Sequence, residues 1–354
     1  TLWPSLHMLT MPMAVMYVWM CSPCITVQYC PENYLCDSTV GIYMIICASR
    51  RTDIPAFHAE WMVNRLRAGY CLVRNPVYRQ LVYRVDLTRR NVDAIVFNSK
   101  DPRPMVPYLK EIGSMGHMYM FQITINPYGR DLEPGVPFKA DVADSFKEIS
   151  DRIGKDRGVW RYDPIVINDR YSIDWHRRKF ELLCRELEGY TDRCTFSFID
   201  MYGKLGKFGD RLRSVSFSEM DRMAEMMVPI AERYGMRLGY CCAHRDLSQY
   251  GIEPRGCIDR QTMRSLDIPF EEMDTPLREG CSCVRNIDIG EDNTRSHDCL
   301  YCYANTNDPL SRTEKVYDPE GELLFGTLGP EDEVVPLKGR ETPRLSDYFD
   351  YRQY

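Results

Sequence analysis

The chain repeats one pattern: a short apolar run, a cluster of charged or amide residues, then an amphipathic stretch. Residues 42–48 read as a strand that ends in Ser49-Arg50-Arg51-Thr52-Asp53. Residues 55–68 follow as a helix that starts on proline, where a missing N–H costs nothing. The same reading gives strands over 81–85, 94–97, 119–125, 158–167, 195–199 and 236–242. It gives helices over 103–115, 139–153, 173–187 and 218–234, the last with Ser216 or Ser218 as its N-cap. Six βα units in series predict a parallel sheet. A TIM-type (β/α) barrel, complete or partial, best fits the count and length. A doubly wound open sheet is the runner-up, although no glycine-rich fingerprint follows the first strand.

Polar residues gather where the strands end. Asn98, Ser99, Lys100 and Asp101 follow one strand, Asn126 another, Asp200 a third, and Cys242 to Asp246 a fourth. In parallel α/β folds that face carries the active site, although loops are polar in any case. Gln122 interrupts MYMFQITI, and Arg161 and Asp163 interrupt VWRYDPIVI. Such side chains inside strands need partners. Arg50, Arg51 and Lys100 are candidates to bind an anionic group of a small substrate. Asp53, Asp163 and Asp200 are candidates to orient partners or move protons, with Gln122 and Arg161 beside them. The plainer alternative pairs Arg50 and Arg51 with Asp53 or Asp163 at the rim.

Four cysteines mark the loop-rich region beyond Gly280. They read C-S-C at Cys281 and Cys283, then C-L-Y-C at Cys299 and Cys302. Four thiolates complete either an iron–sulfur cluster, of the 4Fe-4S kind, or a tetrahedral zinc site. A three-cysteine cluster, with one of these or Cys242 or Cys257 spare, and unligated thiols are the remaining alternatives. Cys47, Cys71, Cys184 and Cys194 sit in apolar contexts and read as ordinary buried thiols. The histidines show no paired metal spacing; only His244, beside a strand end, stands out.

The first 49 residues contain no Lys or Arg, and the rest carry all 45 basic side chains. That break suggests that residues 1–43 are an extension without a fold of their own, with translation starting at Met44. An appended metal-binding or membrane-contacting arm is the alternative. The expected organisation is residues 1–43, a barrel domain over 44–275, and a cysteine segment with a tail over 276–354. The apolar run at 8–20 is shorter than the roughly twenty residues a span needs, and no positive stretch marks a signal peptide. A cytoplasmic protein without membrane contact is expected, and clustered cysteines then read as ligands rather than disulfides. A net charge of −6 speaks against a nucleic-acid partner.

IICASRRTDIPAFHAEWMVNRLRAGYCLVRNP, VWRYDPIVIN and CSCVRNIDIG…CLYCYAN together resemble the uncharacterised prokaryotic family catalogued as domain of unknown function 1848. The resemblance runs from about Met44 to about Gly326. It implies a C-terminal cysteine cluster similar to that of radical S-adenosylmethionine proteins, whose C-x-x-x-C-x-x-C leaves one iron open for the cofactor. Cys281, Cys283, Cys299 and Cys302 match the family pattern, and Arg295 stands where the family usually has a cysteine. Arginine cannot ligate iron, so S-adenosylmethionine binding is in doubt. The resemblance thus implies an iron–sulfur protein of radical type that needs an electron donor. A zinc-stapled or closed-cluster barrel enzyme without radical chemistry, or a non-enzymatic binding protein, are the alternatives.

Overall fold

The computed structural model describes residues 43–273, 280–305 and 316–337. These residues lie in one unit that begins at Gly41; the expected extension lies outside them except for Tyr43. Among the described residues no helix is long and apolar enough to cross a membrane.

Eight strands form one parallel sheet. In sequence they are β1 (Ile45–Ala48), β4 (Ala94–Ser99), β5 (Tyr119–Thr124), β6 (Gly158–Ile165), β7 (Arg193–Phe198), β8 (Arg237–Tyr240), β9 (Glu253–Pro254) and β10 (Ile287–Asp288). Their order across the sheet is β10-β1-β4-β5-β6-β7-β8-β9. Every ladder is parallel, with β1 paired to both β4 and β10. The strands are apolar almost throughout because both faces of the sheet are covered.

Period-two alternation divides the two faces. Ile46, Ala48, Ile95, Phe97, Phe121, Trp160 and Phe196 belong to the large core. Ile45, Cys47, Ala94, Val96, Met120 and Val159 face the other way, into a smaller core completed by Ile258, Met263 and Val284. The same phase, carried toward the strand ends, puts Asn98, Gln122, Arg161, Asp163, Ser197 and Cys241 on the small-core side. The inner face is therefore apolar at its amino half and polar at its carboxyl half.

The neighbours β1, β4, β5, β6, β7 and β8 succeed one another along the chain, with no reversal of order. Among the described residues β9 and β10 do not pair, and no closed barrel is formed. Near the free edges β9 and β10 the chain makes only an isolated antiparallel bridge between Asp259 and Cys283, and Val284 donates to the Ile258 carbonyl over 2.9 Å.

Helices α3 (Leu109–Ser114), α4 (Lys139–Ile153), α5 (Ile173–Glu186) and α6 (Phe217–Arg233) follow their strands, and α7 (Arg260–Ser265) follows β9. Ser216 caps α6 in a reciprocal box with Glu219. The helix expected over 55–68 is two pieces, α1 (Ile54–Phe57) and α2 (Ala59–Ala68), broken at His58 with φ −139° and ψ 31°. The cause is tertiary. The Phe57 ring packs 4.7 Å from His297, and the His58 ring 4.6 Å from Tyr317. The amphipathic pattern of residues 55–68 cannot register partners so distant in sequence.

One strand absent from the sequence reading, β2 (Tyr70–Arg74), pairs antiparallel with β3 (Leu81–Asp86), the strand expected over 81–85. β11 (Glu333–Pro336) adds to β3 in parallel and makes a second, three-stranded sheet. The chain leading to β11 is clamped to α2, where the Trp61 indole donates to the Gly321 carbonyl over 2.9 Å.

Candidate functional site

The loop after β1 is held by one carboxylate. Asp288, at the end of β10, accepts from Ser49 Oγ at 2.6 Å and from the Arg50 amide at 2.8 Å. Arg50 and Arg51 form ion pairs with it at 3.4 and 3.5 Å. Burial raises the Asp288 pKa, but the two guanidiniums win and hold it at about 2. The partner of both arginines is thus Asp288, not Asp53 or Asp163. Gly290 has to be glycine here, because a Cβ would stand 1.9 Å from Ser49 Oγ.

Asp53 is a buried hub. It caps α1 through the Ala56 amide at 3.2 Å, and it accepts from Ser99 Oγ at 2.7 Å and the Lys100 amide at 2.8 Å. His297 Nε2 lies 3.0 Å from Oδ2, the oxygen that also accepts from the Lys100 amide. Burial pushes this carboxyl up, but the His297 contact and the donated hydrogen bonds leave it below the usual carboxylate range.

Gln122, Arg161 and Asp163 meet as their shared strand phase requires. Arg161 donates to Gln122 Oε1 at 2.9 Å and to Asp163 Oδ2 at 2.7 Å. Asp163 also accepts from the Ser197 hydroxyl. Asn126 ties this group to the next one, donating to the Asp163 carbonyl at 2.8 Å and lying 3.2 Å from Glu133 Oε1.

Glu133 is 1% exposed and lies between two lysines. Lys100 pairs with it at 2.7 Å, Lys139 pairs with its other oxygen, and the Tyr301 hydroxyl donates to it. Burial alone would raise Glu133; the two ammonium groups bring it down to about 2. Cys299 adjoins this network: burial pushes its thiol up to about 12, against the pull of Lys100. Asp200 stands apart with His244 Nε2 at 3.3 Å, a half-open pair on the rim.

The thiols fall into two neighbourhoods. Cys281 and Cys283 contact each other, and through Cys242 and Cys257 they reach Cys241. Cys241 Sγ is 3.5 Å from Cys242 Sγ and 3.9 Å from Cys257 Sγ. Hydrogen bonds from Cys241 and Cys283 draw the Cys257 pKa down, and those from Cys242 and Cys283 draw Cys281 down as well. Cys299 and Cys302 sit with Lys100, Glu133 and Arg295 instead. Among the described residues no three or more His, Cys, Asp or Glu side chains already form a ready metal cage. Cys47, Cys71, Cys184 and Cys194 are buried and free, as ordinary core thiols.

Arg295 tests the fit of a cofactor-binding cluster. Its guanidinium donates to the Arg50 carbonyl and lies 4.9 Å from the Tyr303 ring centre. A cation engaged in this way replaces the thiolate that the three-cysteine pattern requires. The residues at Arg295, Cys299 and Cys302 therefore do not fit a cluster that opens one iron to S-adenosylmethionine.

Several members of this face escaped the sequence reading: Asp288, Glu133, Tyr301, His297 and Cys241. Asp288, His297 and Tyr301 meet Ser49, Asp53 and Glu133 at separations of 239, 244 and 168 positions, which local spacing cannot register. A cavity of about 650 Å³, lined by Arg89, Lys110, His117, Arg152 and Arg157, lies at the opposite, amino-terminal end of the strands. The strand-end face, where the buried charges meet, is the better candidate.

A family model described as Domain of unknown function (DUF1848) matches residues 45–304. No curated protein matches. Among solved structures, the HpcH/HpaI aldolase from Desulfitobacterium hafniense DCB-2 is similar at 13% identity and a TM-score of 0.23, over 54% of this chain and 84% of that chain. At that score the likeness carries no argument. The family match runs from the first strand through the last of the paired thiols, and the chain therefore belongs to the DUF1848 family, a domain of unknown function.

Proposed function

We propose that this chain is an enzyme of partial (β/α)-barrel type that binds a small anionic substrate at the carboxyl ends of its strands. One observation carries the reading: two buried guanidinium nitrogens there, Arg50 Nη1 and Arg295 Nε, have no acceptor. Buried donors rarely go unpaired, and a guanidinium fork is matched to carboxylate or phosphate. Arg295 reaches the Arg50 carbonyl, so the two donors belong to one neighbourhood. The Gln122–Arg161–Asp163 group and the Lys100–Glu133 pair border it and serve to orient substrate or hold a proton.

A thiolate-held metal centre accompanies this face, and the favoured form is closed, without radical chemistry, because Arg295 takes the third thiol's place. When bound, a closed iron–sulfur cluster supplies an electron from a donor protein, whereas zinc supplies structure alone. The many free buried thiols support a reducing compartment, the cytoplasm. The net charge of −6 disfavours nucleic acid as the substrate.

The test is thermal unfolding of the anaerobically purified full chain with inorganic phosphate, succinate and, as a neutral control, glucose. At ten times its Kd a ligand stabilises by about 1.4 kcal/mol. One anion should raise the melting temperature while glucose does not, and Arg295→Met should abolish the shift. No shift with either anion at millimolar concentration overturns the anion site. Formation of 5′-deoxyadenosine from S-adenosylmethionine by the reduced protein overturns the closed centre.

A further inference from the structure

Five thiols close into a ring at the end of β8, and three of them lie outside the C-terminal cysteine motif. Cys241 stands 3.5 Å from Cys242 and 3.9 Å from Cys257, sulfur to sulfur. Cys257 is in contact with Cys283, Cys283 with Cys281, and Cys281 with Cys242. The ring joins three separate pieces of chain: the end of β8, the turn after β9, and the loop before β10.

The backbone is shaped to bring them together. Cys242 adopts φ 50°, the left-handed region that a residue with a Cβ enters rarely. A Cβ on Gly256 would stand 2.7 Å from the Cys283 amide nitrogen and 2.9 Å from its sulfur. Glycine next to Cys257 is thus what lets the two thiols meet. The isolated bridge between Asp259 and Cys283 pins the same approach.

The spacing selects the occupant. Zinc–thiolate bonds are about 2.3 Å, so the edge of a tetrahedral site is about 3.8 Å from sulfur to sulfur. The two sulfur–sulfur distances from the neighbouring Cys241, 3.5 Å to Cys242 and 3.9 Å to Cys257, set the contacts of the ring on that scale. A cubane places each thiolate on its own iron and holds the sulfurs farther apart. Four thiolates around a divalent ion leave a net negative charge, and the cations whose fields bear on Cys257 are Arg161 and Arg50. Arg161 is buried and Arg50 largely so, each with a carboxylate partner, and they supply the outer-shell charge that such a site requires.

We propose that Cys242, Cys257, Cys281 and Cys283 bind one zinc ion, with Cys241 as a hydrogen-bonding neighbour that closes the ring. Cys242 is chosen over Cys241 because its left-handed turn carries its thiol to Cys281, while the Cys241 amide stays on the sheet, 2.8 Å from the Phe196 carbonyl. The thiol-to-thiol hydrogen bonds are what the metal replaces: each ligand gives up its proton as its sulfur binds. The site ties the loop before β10 to the end of β8 and so joins the two free edges of the sheet. It excludes Cys299 and Cys302, and it goes beyond the anion-binding reading without depending on it.

The test is metal content of the full chain, purified under reductant and loaded with zinc alone, then with cobalt(II) alone. One zinc per chain and the visible absorption of tetrahedral cobalt–thiolate are expected. Cys242→Ser, Cys257→Ser, Cys281→Ser and Cys283→Ser should each lose stoichiometric metal, and Cys241→Ser, Cys299→Ser and Cys302→Ser should keep it. If the serine variants do not fold, thiol counting on the native chain still decides: zinc should shield four thiols from a thiol reagent, and chelation should restore them. Metal retained in Cys257→Ser but lost in Cys299→Ser overturns the site. So does iron with acid-labile sulfide that disappears in Cys257→Ser. Phosphate or succinate binding plays no part in any of these readouts, so failure here is separable from failure of the anion site.

Discussion

Arg295 donates a hydrogen bond to the backbone carbonyl of Arg50, a residue 245 positions earlier in the chain, and the Tyr303 hydroxyl donates to the same oxygen from 2.8 Å. A position that the radical-enzyme pattern reserves for a metal ligand thus holds the loop after β1 in place. Arg295→Met should destabilise the chain by about 2 kcal/mol, the scale of a hydrogen bond from a charged group. Arg295→Lys should not restore it, because an ammonium cannot both reach the carbonyl and lie flat on the Tyr303 ring. Urea unfolding measures both, and a lysine variant as stable as the native chain sinks the account.

Asp53 joins α1, β4 and the cysteine loop through four hydrogen-bonding contacts. Asp53→Ala leaves the Ser99 hydroxyl, the Lys100 amide and His297 without their acceptor. A loss of about 3 kcal/mol is expected, by the cost of stranding buried donors. Asp53→Asn keeps part of the acceptor capacity and should lose less. Equal losses in chemical denaturation would mean that the carboxylate charge and cap contribute nothing.

Glu133 neutralises Lys100 and Lys139 in a buried site. Glu133→Gln strands both ammonium groups and should cost about 3 to 5 kcal/mol, as for other buried pairs broken on one side. Adding Lys100→Met to Glu133→Gln should recover part of that loss, because one of the stranded charges is then removed. A double variant no better than the single one would show that the two groups are not coupled.

His176 is fully buried, with the Tyr162 hydroxyl 2.6 Å from Nδ1 and the Val166 carbonyl 2.9 Å from Nε2. Burial holds its pKa down to about 4, and burial does the same to His58 despite the nearby Asp53 charge. The unfolded chain therefore binds more protons than the folded one between roughly pH 6.5 and pH 4, and stability falls as pH drops through that window. Each histidine accounts for about 3 kcal/mol across it. Glu133 and Asp288, held at about 2, add their losses only as the pH falls further, below roughly pH 4.5. Urea midpoints measured from about pH 7 down to about pH 5 should decline, and the slope should flatten in His176→Gln. A flat native profile contradicts the burial argument.

The rhythm of apolar runs and polar ends was legible along the chain, because side-chain period and turn chemistry are local. It located β1, β4, β5, β6, β7 and β8, the exact span of α4, and the polar strand ends. Gln122, Arg161 and Asp163 stood out as polar residues inside strands, and they do meet. The break at His58 and strands β2 and β11 were not legible, because each depends on residues brought in from far along the chain.

The cysteines draw the same line. Local spacing made C-S-C and C-L-Y-C look like one four-ligand set, and the apolar contexts of Cys47, Cys71, Cys184 and Cys194 marked those as core. Folding divides the set, sending Cys281 and Cys283 to Cys242 and Cys257 and leaving Cys299 and Cys302 beside Lys100 and Arg295. Residue type and periodicity are properties of neighbouring positions, so the chain carries them openly. Which sulfurs come within 4 Å of one another depends on how a parallel sheet with two free edges brings its ends together, and that is a property of the whole fold.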